Sequence, residues 1–196
     1  SLLDTSDIIQ CMEYAYNYII FDDLKSSIKI DTTNTNICKE SIAKGIKENH
    51  KISLNQHHPG FAIGIRRDVY RKINGFYEHG ITGCSDTLFW LSIAQFPANE
   101  AISYLNKIPA AKELYDIYTQ NILQHINKSR INYIKNSIGL HLYHGSESNR
   151  FYSTRNSYVP ESLDFFYNEH GVLEINSHDP SKTDLRQYWI DRKEDD

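Results

Sequence analysis

Asp86 is the residue whose setting most plainly suits chemistry. It follows Gly83-Cys84-Ser85 and precedes the apolar run Leu88-Phe89-Trp90-Leu91. The pattern puts an acid in the first turn of a helix, where the helix dipole favours the ionised carboxylate, the form a general base needs to take a proton from a hydroxyl. An acid without catalytic duty is also common there. A second group lies in Gly139-Leu140-His141-Leu142-Tyr143-His144-Gly145, followed by Arg150, Tyr152 and Arg155. Imidazole is a good ligand for a divalent ion, and the planar fork of guanidinium matches phosphate oxygens. A cation with two arginines is a clamp for the charge that grows on a diphosphate leaving group. Taken singly, two histidines three apart are usually ordinary, and Arg150 and Arg155 could equally cover a helix face.

These residues need elements to hold them. Phe61, Ile63 and Ile65 alternate with Ala62 and Gly64, which predicts a buried strand entered through Pro59-Gly60. Arg67 to Ile73 reads as one or two helical turns ended by Asn74-Gly75. Ser85 is expected to cap a helix running from Asp86 to Ala94 and stopped by Pro97. Asn36 is expected to cap a helix through Glu48, and a helical region interrupted near Pro109 spans Asn99 to Asn127. Ile138, Leu140 and Leu142 give a second strand ending at His144-Gly145. The tail offers a strand at Gly171 to Ile175 and a helix near Lys182 to Arg192. Periodicity leaves Asp7 to Tyr16 open between strand and helix. Phe89 and Trp90 read as core, whereas Phe76, in a glycine-flanked turn, reads as lining a pocket. His57 and His58 read as exposed loop histidines, with acceptor contact as the alternative.

Bulk properties narrow the classes. The chain has 196 residues, 40% hydrophobic and 23% charged, enough for one domain spanning 1–196 with a real core. A net charge of -4 argues against a broad nucleic-acid surface, which needs surplus Lys and Arg. The 14 tyrosines suit stacking on sugars or bases as well as ordinary burial. Cys11, Cys38 and Cys84 form no CxxC pair, so a reducing, cytoplasmic setting is expected. No apolar run reaches the roughly 18 residues of a membrane span.

The block His58-Pro59-Gly60-Phe61-Ala62-Ile63-Gly64, then Asn74-Gly75-Phe76-Tyr77-Glu78, then Gly83-Cys84-Ser85-Asp86, resembles the acceptor-side segment of GT-A glycosyltransferases of family 2 and galactosyltransferase C-terminal type. His141-x-x-His144-Gly145, with Arg150, Tyr152 and Arg155, resembles the element that follows it in the same group. The resemblance covers nearly the whole chain but only the later part of the family domain. It implies an α/β fold, a mixed sheet with flanking helices, lacking most of the nucleotide-binding half. By the same resemblance Asp86 is the catalytic base, and Gly75, Phe76, Glu78 and Ser85 bind the acceptor. Arg150, Tyr152 and Arg155 contact the donor diphosphate, His144 holds Mn2+ or Mg2+, and His141 supports it. Implied partners are a nucleotide-sugar donor, a saccharide acceptor and an upstream nucleotide-binding half; the tail implies a natural C-terminus. The sequence departs from the pattern twice: Ser85 stands where the family has a second acid, and there is no Asp-x-Asp. The second departure motivates an alternative, a saccharide-binding module without catalysis. A metal hydrolase on His141 and His144 ranks last, for want of a third ligand.

Overall fold

The computed structural model describes residues 2–19, 38–105, 107–142, 151, 154–176 and 182–191. The strands are β1 (Ile8–Gln10), β2 (Tyr14–Ile19), β3 (Cys38–Ser41), β4 (His57–His58), β5 (Ile63–Ile65), β6 (Ile131–Tyr133), β7 (Ile138–Leu142), β8 (Phe165–Tyr167) and β9 (Leu173–Ile175). The helices are α1 (Ile42–Lys47), α2 (Arg67–Lys72), α3 (Ser85–Ala94), α4 (Ala98–Ala101), α5 (Ala111–His125) and α6 (Lys182–Asp191). The spine is two extended stretches side by side, β1 and β2 against β6 and β7, both pairings parallel. β5 joins β1 antiparallel; β3 joins β2 antiparallel and β4 parallel. The results are a three-stranded sheet β5-β1-β6, a four-stranded sheet β4-β3-β2-β7 and a β8-β9 hairpin. Backbone bonds between the sheets run from Cys11 N–H to Ala62 O (2.9 Å) and Glu13 N–H to Ser137 O (3.0 Å). The mixed α/β class expected from sequence is what the chain adopts.

Asp7 to Tyr16, open on periodicity, is strand on both sides of a break at Cys11–Glu13, with Ile8 and Ala15 fully buried. The helix expected through Glu48 is shorter. Cys38–Ser41 is drawn into strand because β3 pairs on both edges, and Ser41 caps α1 by accepting from Lys44 N–H at 3.2 Å. The strand over Ile63–Ile65 is half-buried rather than buried, and Phe61 before it is exposed. Among the described residues β5 pairs on one side only, with β1. α2 and the stop at Asn74-Gly75 are as expected, both residues taking positive φ (59° and 80°). At α3 the cap shifts by one: Cys84, at φ 69°, is the N-cap, and Ser85 is the first helical residue.

Nearly every face of α3 is covered. Phe89, Trp90 and Ile93 enter a core with Ile8, Ile42 and Ile131. Leu88 and Leu91 enter another with Tyr115, Val159 and Leu185. Burial of a large apolar side chain contributes about 1.5–3 kcal/mol, so this helix is a fixed platform for whatever its first turn carries. Among the described residues no helix is long and apolar enough to cross a membrane.

Candidate functional site

The first turn of α3 is built by a tight loop. Gly83 takes φ 122°, and a Cβ at Gly80 would lie 2.6 Å from Ser85 Oγ, so that close approach needs glycine. Asp86 is half-buried, and its Oδ1 accepts from Thr87 N–H at 2.8 Å. Its Oδ2 faces the His58–Phe61 loop. An ideal Cβ on Gly60 would sit 3.2 Å from Asp86 Oδ2 and 3.1 Å from His58 Cε1. The absence of a side chain therefore lets the loop backbone approach closely, leaving between the carboxylate and the imidazole a gap too narrow for a methyl group unless a neighbour yields.

Two buried polar side chains hold that loop. Gln10, fully buried, donates to His58 O (2.9 Å) and Gly60 O (3.0 Å) while its Oε1 accepts from Ala43 N–H (3.0 Å). The Trp90 indole donates to Pro59 O at 2.9 Å. Gly60 N–H donates to His58 Nδ1 at 3.1 Å, which orients the ring and leaves its lone pair engaged there. Phe61 packs on His58, with ring centres 4.8 Å apart, and lies 3.4 Å from the point where Gly139 of β7 would carry a Cβ. The loop thus bridges α3 and β7.

Arg155 comes to the same turn from the other side. Its Nη1 lies 2.7 Å from the Cβ position of Gly83, and its Nη2 donates to Cys84 Sγ at 2.7 Å. Burial pushes the Cys84 thiol above its ordinary pKa, which the Arg155 charge partly offsets and the Asp86 charge reinforces. A cation and an anion therefore flank Cys84, two residues ahead of the base candidate.

The other residues singled out from sequence are placed as follows. Ser85 shares the turn with Asp86 and Arg155. Phe76 points inward, edge-on to Phe89 with centres 5.0 Å apart and near Tyr70 at 6.1 Å. Gly75 O accepts from Tyr118 OH at 3.1 Å. Glu78 is exposed and accepts from Tyr167 OH of β8 at 2.8 Å. Through these contacts Gly75 and Phe76 join the core beneath α3, and Glu78 joins the β8-β9 hairpin. His144, Arg150 and Tyr152 lie outside the described residues; His141 is in β7, its side chain outside them too. A groove of about 520 Å3 is lined by Leu105, Ile108, Lys112, Thr154 and Asn156 among others, but by neither Asp86 nor Arg155.

No known family, characterised protein or solved structure matches this chain. The site therefore rests on its own geometry. Sequence patterning missed Gln10, and it read His57 and His58 as exposed loop histidines with acceptor contact as the alternative, whereas both lie in β4, His57 buried and His58 half-buried. His58-Pro59-Gly60 did carry a signal, a glycine after a rigid turn where close approach is needed, but nothing in the spacing says that α3 is what approaches.

Proposed function

We propose that the chain performs the acceptor-side chemistry of a nucleotide-sugar-dependent glycosyltransferase, with Asp86 as the base. The observation that carries this reading is the half-buried Asp86 carboxylate on the α3 N-terminal turn, facing the gap beside Gly60 and His58. Arg155, packed against that turn from the segment Arg155–Tyr158, adds the cation that a diphosphate requires. In the proposed reaction an acceptor hydroxyl enters the gap and gives its proton to Asp86. Its oxygen bonds to the anomeric carbon as the bond from that carbon to the nucleoside diphosphate breaks. Arg155 offsets the charge left on the departing phosphate. His144, assigned to Mn2+ or Mg2+ by resemblance, lies outside the described residues.

The test is release of nucleoside diphosphate from UDP- or GDP-sugars by the full-length protein with saccharide acceptors. Asp86→Asn is expected to lower kcat by about 10²–10⁴-fold and Arg155→Ala by about 10²–10³-fold, with unfolding midpoints near that of the parent. Full turnover by Asp86→Asn ends the assignment. The absence of Asp-x-Asp favours a second reading, a saccharide-binding module without transfer. Calorimetry separates the two: that module binds glycan with neither nucleotide nor metal present.

A further inference from the structure

Successive residues of a strand point to opposite faces, and β4 has two histidines. His58 goes to the Asp86 gap; His57 goes the other way, into a group with Glu40 and His50. Glu40 and His57 are register partners in the parallel β3-β4 pair. His50 follows α1, on the turn after Asn49 (φ 58°). One ligand-type atom from each of the three lies within 4.8 Å of the others. We infer that Glu40, His50 and His57 form a binding site for a single divalent transition-metal ion of the zinc class, separate from the Asp86 site.

Four observations carry it. First, His57 is 3% exposed, and its Nε2 has no hydrogen-bond partner among the described residues. A buried polar atom left in that state is costly. Secondly, the spacings are compatible with a shared ion, although Glu40 and His50 are also within direct hydrogen-bond reach. Glu40 Oε2 is 3.6 Å from His57 Nε2 and 3.1 Å from His50 Nδ1. The first is too long for a hydrogen bond. Zinc ligands at about 2.0–2.1 Å in a tetrahedron lie roughly 3.4 Å from one another, between the two values.

Thirdly, the outward nitrogen of His57 meets an oxygen acceptor, as is usual for metal-bound imidazoles, while that of His50 faces a carboxylate beyond hydrogen-bond reach. His57 Nδ1 is 3.0 Å from Ser53 O, and His50 Nε2 is 3.6 Å from Glu48 Oε2. Ser53 N–H also donates to His57 Nδ1 at 3.2 Å, the contact that the tautomer unprotonated at Nδ1 makes. An ion on Nε2 selects the tautomer with its proton on Nδ1, directed at the carbonyl. The carboxylates are themselves held: Glu40 Oε1 by Lys44 Nζ at 3.1 Å, and Glu48 Oε1 by Tyr133 OH at 2.5 Å. Fourthly, the His57 ring lies against Gly45 of α1, where a Cβ would fall 2.6 Å from both Cδ2 and Nε2. The helix makes room for this imidazole.

Two imidazoles and a carboxylate suit zinc, cobalt or nickel and disfavour magnesium. The half-exposed His50 leaves the fourth position to water. Such an ion ties β3, the loop after α1 and β4 together, and so fixes the strand that delivers His58.

The experiment needs neither donor nor acceptor, so it is independent of the transferase reading. Chelator-treated full-length protein is titrated with zinc against a chromophoric competitor, and with cobalt for its tetrahedral absorption bands. The expected result is one zinc per chain, a raised unfolding temperature and no competition from millimolar magnesium. His50→Ala, on an exposed loop, and Glu40→Gln should each weaken zinc more than 100-fold. Glu48→Gln should weaken it about 10–100-fold. His141→Ala/His144→Ala should leave it unchanged. No stoichiometric zinc, undiminished affinity in His50→Ala and Glu40→Gln, or loss of zinc in the His141/His144 variant overturns the site.

Discussion

At the scale of the residue, the decisive feature is a side chain that is absent. Gly60 separates His58 from Asp86, and its φ is not in the left-handed region, so alanine is sterically permitted by the backbone. The atoms a methyl would meet, His58 Cε1 and Asp86 Oδ2, are the far ends of side chains that can yield slightly. Gly60→Ala should change stability by less than about 1 kcal/mol, since a stiffer unfolded chain offsets the crowding. It should still lower turnover by tenfold or more, by filling the space where a hydroxyl must approach. Thermal unfolding and kcat measured on the same preparation check this; equal losses in both, or in neither, remove the gap from the site. Asp86 was legible in the sequence because a helix start has a local signature. Its neighbours were not, because the approach of the Gly60 loop to Asp86 joins a loop and a helix distant in sequence. Arg155 was singled out in the sequence, but its seat on Gly83 and Cys84 depends on a turn whose tightness no pattern states.

At the scale of the element, α2, α3, α5 and β7 were readable, because each combines a periodic apolar pattern with a local stop such as Asn74-Gly75. β3, β6 and β8 were not, since strands of three or four residues have too few alternations and owe their existence to partners far along the chain. Ser41 shows the same competition: the cap read at Asn36 lies outside the described residues, and α1 is capped by Ser41, where strand pairing ends. The element that matters most to the site is α3, and Trp90 is its link to the His58–Phe61 loop. Trp90→Phe retains most of the apolar ring but removes the donor to Pro59 O. Losing one partner of a shielded hydrogen bond costs about 1–3 kcal/mol. Denaturant unfolding should show that loss, and amide hydrogen exchange should quicken at Gly60 and Phe61 more than in β6. Uniform quickening across both would mean that Trp90 serves the core alone.

At the scale of the whole molecule, the two parallel pairings between chain segments more than a hundred residues apart are clasped by an ionic cluster on β2, β3 and α1. Lys44, 7% exposed, lies 3.2 Å from Glu13, 3.1 Å from Glu40 and 2.7 Å from Tyr14 OH, with its ammonium 4.3 Å from the Tyr14 ring centre. Burial alone would raise the Glu40 pKa, but Lys44 and His50 outweigh it and hold the group below its ordinary value. For Lys44 burial lowers the pKa, and its bonds to Tyr14, Glu40 and Glu13 outweigh that and raise it. The signs follow by linkage. The Glu40 contribution is present above its unfolded pKa of about 4.3 and is lost as pH falls through the lower folded value. The Lys44 contribution is full below about 10.4 and is lost as pH rises through the higher folded value. The cluster therefore stabilises the sheet most between about pH 5 and 10. Lys44→Met leaves two carboxylates facing each other without their cation, and removing one partner of a buried pair costs about 3–5 kcal/mol. Protonation of those carboxylates relieves the penalty, so the gap between variant and parent should be widest near pH 7 and should narrow towards pH 3. Denaturant melts at both pH values, with chelator present to keep metal out of the comparison, measure it. A gap that does not change with pH would assign the effect of Lys44 to packing against Tyr14 rather than to charge.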